Sequence, residues 1–156
     1  MPNWLHEGKE YTQLSDFPDN VVGFVYRVTN TTNGKFYVGK KILRNVLTKK
    51  LTKKEILEWT KPGRVPKKRK EIKESNWLDY YGSSKLVTED IKTYGKEAFT
   101  REILRLCTTK KQMSYWETYY QMTLRVLEVD SYNENIAGKW YRRDVNPIAP
   151  ELQDED

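Results

Sequence analysis

Two β-rich runs set about one Asn-Gly pair constrain this chain more than any other feature. Residues 21–30 (VVGFVYRVTN) are rich in β-branched and aromatic side chains, and residues 36–41 (FYVGKK) resume the pattern after Thr31-Thr32-Asn33-Gly34. Asn-Gly between such runs signals a hairpin, because both residues tolerate positive φ. A two-residue Asn33-Gly34 turn would set Tyr26 opposite Lys41, Val28 opposite Gly39 and Asn30 opposite Tyr37. Tyr26, Tyr37 and Lys41 then share one face of the hairpin. A four-residue loop would shift the pairing and keep that face, whereas a three-residue loop would break it. Gly39 would leave a gap between the tyrosines where a substrate backbone could approach. A lysine beside a tyrosine favours the phenolate, lowering the phenol pKa from about 10, which suits a general base.

The rest of the chain supplies a frame for this hairpin. Residues 1–20, with Pro2 and Pro18, read as an extended lead-in. Thr52-Lys53-Lys54-Glu55 has capping-box spacing ahead of Ile56, Leu57 and Trp59, which predicts a short helix. Residues 61–70 (KPGRVPKKRK) read as a loop, and residues 77–81 as a helical turn or a strand. Residues 88–94 read as a helix stopped by Gly95. Residues 97–107 alternate, with Phe99, Arg101, Ile103 and Arg105 against Thr100, Glu102, Leu104 and Leu106, which predicts a third strand. Thr109-Lys110-Lys111-Gln112 opens a helix running to Leu127, with Met113, Trp116, Tyr120, Leu124 and Leu127 as its core stripe. The implied fold is α+β, a small antiparallel three-stranded sheet flanked by helices. The boundaries are an N-terminal extension 1–20, a domain 21–138 with an insertion at 42–76, and a tail 139–156.

Charge gives the insertion a meaning. The formal net charge is +6, and between Lys35 and Lys73 there are fifteen Lys or Arg against Glu55, Glu58 and Glu71. Such a block is the footprint of a polyanion binder; the other reading is a solvated helical face with a flexible basic loop. With one cysteine, Cys107, and one histidine, His6, a disulfide framework, a His/Cys metal cluster and a serine-type triad all lack parts. No apolar run is long enough to span a bilayer and no signal-peptide core is present, so the expected place is the cytoplasm.

The motifs then resemble a known family. Phe24-Val25-Tyr26 and Tyr37-Val38-Gly39 resemble the two motifs that name the GIY-YIG nucleases, with Gly23 just before a Phe that replaces the family's glycine. Tyr94-Gly95-Lys96-Glu97-Ala98-Phe99 followed by Glu102-Ile103-Leu104, Glu117 within Trp116-Glu117-Thr118-Tyr119-Tyr120, and Tyr132-Asn133-Glu134-Asn135-Ile136 follow in the family's order. The basic insertion and Tyr80-Tyr81-Gly82-Ser83-Ser84-Lys85 look most like phage-encoded Seg-type homing endonucleases. One departure stands out. Where many members carry an Arg and then a His or Tyr after the second motif, this chain has Leu47 and Leu51.

The resemblance implies a DNA endonuclease that hydrolyses phosphodiester bonds in double-stranded DNA with one divalent metal, Mg²⁺ or Mn²⁺. Glu117 would hold the metal, Tyr26 would activate the attacking water, Tyr37 would position it, and Asn133 or Asn135 would hold the hairpin or the glutamate. Lys41 is favoured over Arg44, Arg64 and Arg69 as the cation that replaces the displaced arginine, and Tyr81 stands in for the His or Tyr. Lys40, Arg44, Arg64, Lys67, Lys68 and Arg69 would meet DNA, with Tyr81 beside them. The short stretch after Gly138 leaves no room for a separate DNA-reading domain, so specificity would come from the insertion or from a homodimer. A phage-encoded enzyme would act in the host cytoplasm. The alternative is a DNA-binding protein on the same fold with impaired catalysis, which the displaced arginine favours.

Overall fold

The hairpin forms, with a longer loop than a two-residue turn. In the computed structural model, which describes residues 2–145, β3 (Gly23–Asn30) pairs antiparallel with β4 (Phe36–Ile42). Tyr26 faces Gly39, Val28 faces Tyr37 and Phe24 faces Lys41. The loop is the four residues Thr31–Gly34, closed by the Asn30 amide on the Lys35 carbonyl (2.8 Å) and the Gly34 amide on the Asn30 carbonyl (2.8 Å). A two-residue turn of the expected kind needs positive φ at both central residues. Only Gly34 adopts it, at 75°. The buried Asn30 side chain instead accepts from the Thr32 amide (3.0 Å) and hydroxyl (2.6 Å), fixing the loop two residues earlier. The pairing therefore shifts by two, and Tyr26, Tyr37 and Lys41 stay on one face.

The sheet has five strands rather than three, and it is mixed rather than antiparallel. Its order is β2-β1-β7-β3-β4, with β1 (Trp4–His6), β2 (Lys9–Tyr11) and β7 (Phe99–Cys107). The lead-in supplies the extra two strands. Glu7 and Gly8, at φ 49° and 82°, turn β1 back into β2, and β1 runs parallel to β7. Trp4 is fully buried, and its indole N–H donates to the Trp77 carbonyl (2.8 Å). Strands of three residues are too short to show a period, so only the burial of Trp4 and Tyr11 marks them.

Both faces of the sheet are covered. On one face Trp4, Phe24, Tyr26, Val28, Phe99 and Ile103 pack with Trp77 and with Val87 of α2 (Lys85–Tyr94). On the other, Val25, Val38 and Cys107 pack against Met113 of α3 (Lys110–Thr123) and against Val126, Leu127 and Ile136. A bulge between Val25 and Tyr26 leaves Leu104 as the extra residue in β7. Arg105 consequently leaves the face it was expected to share with Arg101. It stacks over the Trp116 ring (3.5 Å), while Arg101 sits against Trp4 and Tyr81.

The basic insertion is a built arm. β5 (Arg44–Lys50) pairs over its full length with β6 (Lys68–Glu74), and α1 (Lys53–Leu57) lies between them in sequence. The Thr52–Glu55 capping box is present as expected. The stretch read as a loop ends in a strand because Lys68–Lys70 pair with β5 despite their charge. The chain closes with β8 (Asn135–Ile136), β9 (Trp140–Tyr141) and α4 (Arg142–Val145); the rest of the tail lies outside the described residues. Among the described residues no helix is long and apolar enough to cross a membrane.

Candidate active site

β4 is an edge strand, and the site is built from what covers it. An open edge exposes a row of unpaired amides and carbonyls that must find partners. The Tyr132 amide donates to the Phe36 carbonyl (2.7 Å). The Asn133 side chain grips Val38 from both sides, accepting from its N–H (2.9 Å) and donating to its carbonyl (2.9 Å). Gln121 on α3 donates to the same carbonyl (3.0 Å). One turn earlier on α3, the Glu117 carboxyl lies near Lys40 of β4, whose charge and backbone amide favour its ionised form. Asn133 and Gln121 are thus tied to β4 next to Gly39, and α3 holds Glu117 beside the same stretch.

The tyrosine face lies just over that edge. Tyr26 is 1% exposed. A Cβ on Gly39 would fall 2.5 Å from the Tyr26 hydroxyl and 2.9 Å from the Tyr37 ring. The gap expected for a substrate backbone is therefore filled by the Tyr26 phenol. The Tyr26 and Tyr37 ring centres are 6.2 Å apart, and Tyr80 stands edge-on to Tyr26 at 6.0 Å. The Tyr37 hydroxyl meets the Ser83 hydroxyl at 3.2 Å. A cavity of about 680 Å³ opens here, lined by Tyr37, Ser83, Glu117, Gln121, Asn133 and Asn135 among others.

Electrostatics depart from the expectation of a lowered phenol. Burial pushes the Tyr26 hydroxyl well above the ordinary phenol value, and Tyr80, Tyr37 and Glu117 add to the rise. Burial also raises Tyr37, with the Ser83 hydrogen bond opposing it. The loop shift explains why Lys41 does not act on Tyr26 as expected. Lys41 faces Phe24, donates to the Asn76 side chain (2.7 Å) and lies 4.0 Å over the Tyr80 ring. Burial raises the Glu117 carboxyl above the usual value, with Lys40 partly offsetting it. A carboxyl that loses water and keeps a cation nearby is poised to bind positive charge.

The remaining expected site residues are spread out. Asn135 accepts from the Gly138 amide (2.9 Å) and shapes the turn at the cavity rim. Tyr81 turns into the core at 7% exposed, under the Arg101 guanidinium (4.2 Å), so Tyr80 and not Tyr81 stands beside Tyr26. Arg101 donates to the carbonyls of Leu78 (2.7 Å) and Tyr80 (3.0 Å), which fixes that loop. Lys40 donates to the Ser114 hydroxyl (2.9 Å). Arg44, Arg64, Lys67 and Lys68 are exposed on the arm or its loop, while Arg69 pairs with Glu55 (2.7 Å) and Glu71 (3.4 Å). Leu47 lies on the arm and Leu51 is buried at its distal end, where its amide bonds the Lys67 carbonyl (3.2 Å), away from the cavity lining.

Tyr80, Ser83 and Gln121 were not singled out from the sequence as site residues. Tyr80 follows a single 3₁₀ turn (Trp77–Asp79), where no period separates it from Tyr81. Gln121 carried a readable signal: it lies one turn beyond Glu117 on the same helix face.

Asn133→Ala tests the edge clamp. It would strip the buried Val38 amide of its acceptor, costing about 2 kcal/mol, or roughly 4–8 °C in Tm for a domain of this size. A thermal melt matching wild type would show that the clamp carries no load.

The family model described as "Putative endonuclease segE, GIY-YIG domain" matches residues 4–145. No curated protein and no solved structure matches the chain. The match spans every strand and helix described above, including the two N-terminal strands and the basic arm, and the chain belongs to the SegE-type GIY-YIG endonuclease domain family.

Proposed function

We propose that this protein is a divalent-metal-dependent endonuclease of double-stranded DNA, of the phage homing type, acting in the host cytoplasm. The observation that carries the reading is the convergence of Tyr26, Tyr37 and Glu117 at one edge of the sheet. Tyr37 and Glu117 line one cavity there, and the Tyr26 ring lies 6.2 Å from that of Tyr37.

The residues fit a hard, hydrated cation. Among the described residues no cluster of three His, Cys, Asp or Glu could hold a metal. One carboxylate with waters and a substrate phosphate is an ordinary setting for Mg²⁺. Glu117 offers that carboxylate, and the buried Gln121 Oε1, which has no partner, offers an oxygen beside it. Mg²⁺, or Mn²⁺, bound at Glu117 would supply positive charge to the phosphate and the leaving oxygen.

The chain's own groups do the rest. Tyr26 takes the proton of the attacking water, and Tyr37, oriented by Ser83, holds that water in line. Lys41 and Tyr80 flank the phosphate path, Asn133 holds the strand bearing Gly39, and Asn135 keeps the rim closed. Exposed Lys40, Arg44, Arg64, Lys67 and Lys68 contact DNA phosphates, which fixes position more than sequence.

A base with a raised pKa has a signature. Cleavage should rise about tenfold per pH unit from pH 6 towards 9, because the phenolate fraction of Tyr26 grows that way. Tyr26→Phe should lower the rate by roughly 10²–10⁴. A rate flat above pH 7, or full activity in Tyr26→Phe, removes Tyr26 as base.

One observation favours a second reading, a DNA-binding protein that does not cut. No arginine lines the cavity beside Tyr37 and Glu117 among the described residues. Duplex binding without cleavage in any divalent metal would establish it.

A further inference from the structure

The basic arm has two unlike faces. Strand pairing puts Lys49, Arg69, Glu71 and Lys73 on one of them. There most of the charge is matched internally: Lys49 pairs with Glu71 (3.0 Å), and Arg69 with Glu55 and Glu71, which leaves Lys73 without an acidic partner among the described residues. The other face carries Val46, Thr48, Lys50, Lys68, Lys70 and Ile72. Lys50 sits directly opposite Lys68, and Lys70 opposite Thr48. Like charges facing each other across a strand pair repel. Among the described residues none of these three lysines has an acidic partner. On the root side of these lysines the facing pair Val46 and Ile72 is 56% and 68% exposed, and beyond it Arg44 faces Glu74.

We infer that this face of the β5–β6 arm is a two-stranded ribbon that enters the major groove of duplex DNA. Val46 and Ile72 meet thymine methyl groups there, Thr48 reaches base edges, and Lys50, Lys68 and Lys70 hold the flanking phosphates. The inference rests on the endonuclease reading for its partner and deepens it by naming how sequence is read. Charge complementarity chooses the occupant, because an unpaired lysine cluster next to an apolar pair suits a polyanion whose groove floor carries methyl groups. A two-stranded ribbon fits the major groove, about 12 Å wide, and only that groove displays the thymine methyl. The arm is also rooted at the site. It leaves the sheet directly after β4, where the Ser75 amide bonds the Leu43 carbonyl (2.8 Å) and Lys41 bonds Asn76. A duplex gripped by the ribbon would be held in register with the tyrosine face.

The test uses the full chain in EDTA, so that binding is read without cutting. Wild type enriches duplexes from a random pool, and the enriched duplex is probed with dimethyl sulfate, which methylates guanine N7 in the major groove and adenine N3 in the minor groove. Wild type is expected to protect guanine N7. The variant Lys50→Ala/Lys68→Ala/Lys70→Ala is expected to bind more weakly, with a salt slope lower by about 0.9 for each phosphate it no longer neutralises. Replacing thymine by uracil, which lacks the methyl, is expected to weaken wild type several-fold and leave Val46→Ala/Ile72→Ala unaffected. Protection of adenine N3 instead of guanine N7 overturns the inference, and that result needs no variant to fold. So does wild-type affinity and slope in the triple-lysine variant, failure to enrich any duplex, or a solution dimer that Val46→Lys dissociates. The two readings fail separately. Ribbon-dependent protection without cleavage in Mg²⁺ sinks the endonuclease alone, and cleavage without ribbon dependence sinks the ribbon alone.

Discussion

Glu117→Gln is expected to abolish cleavage while making the protein more stable. The Glu117 carboxylate lines the cavity with Tyr37 and Gln121, so its loss removes the cation's anchor. The rate should fall on the order of a thousandfold, about 4 kcal/mol at 1.36 kcal/mol per decade. Stability should move the other way. Burial raises the Glu117 pKa in the folded protein, so the folded state binds the proton more tightly than the unfolded chain. The ionised carboxylate therefore costs stability above the raised pKa, and the cost is relieved as pH falls through it. Gln keeps the shape of the side chain and removes the charge. At pH 8 the variant should melt higher than wild type, by a margin that shrinks as the pH falls through the raised pKa. The same raised pKa means that activity should fade in mild acid earlier than an ordinary carboxylate would allow. A variant that cuts like wild type removes Glu117 from the chemistry, and a lower Tm shows it to be a structural support instead.

Gly39→Ala should damage fold and activity together. The added methyl would sit 2.5 Å from the Tyr26 hydroxyl, 2.8 Å from its ring carbon and 2.9 Å from Tyr37. Tyr26 cannot swing away, because Trp4, Phe24 and Tyr80 enclose its ring. Overpacking of this kind costs about 1–3 kcal/mol. It would also displace both phenols from the positions that give them a shared role. Calorimetry should show a Tm lower by several degrees, and cleavage should drop with it. An alanine variant with wild-type Tm and rate would mean that the tyrosines have room to spare.

What was legible in the sequence followed from period and chemistry. The β3–β4 hairpin, the Thr52 and Thr109 caps and the stripe of α3 all have side-chain patterns repeated often enough to read. Tyr26, Tyr37, Glu117 and Asn133 came into view through the family resemblance laid over those elements, and the structure places them around one edge. The misses share a different origin. The loop length depended on whether Asn30 or Asn33 would fix the turn, a choice made by burial of Asn30 against Tyr132 (3.2 Å) far along the chain. The strands around Glu7-Gly8 are three residues each and are held by Trp4 in a distant core. Tyr80 and Tyr81 differ only by which one Arg101 pulls inward, and that buried arginine looked like any other alternating charge. Long-range packing decided each case.

The most direct measurement is incubation of supercoiled plasmid with purified wild-type protein, in Mg²⁺ and in EDTA, with Tyr26→Phe alongside. Nicked or linear plasmid is expected to accumulate with wild type in Mg²⁺, while EDTA and the Tyr26→Phe variant leave it supercoiled. Plasmid left intact by wild type in both Mg²⁺ and Mn²⁺, while the protein still shifts the duplex on a gel, would contradict a metal-dependent nuclease built on the tyrosine face.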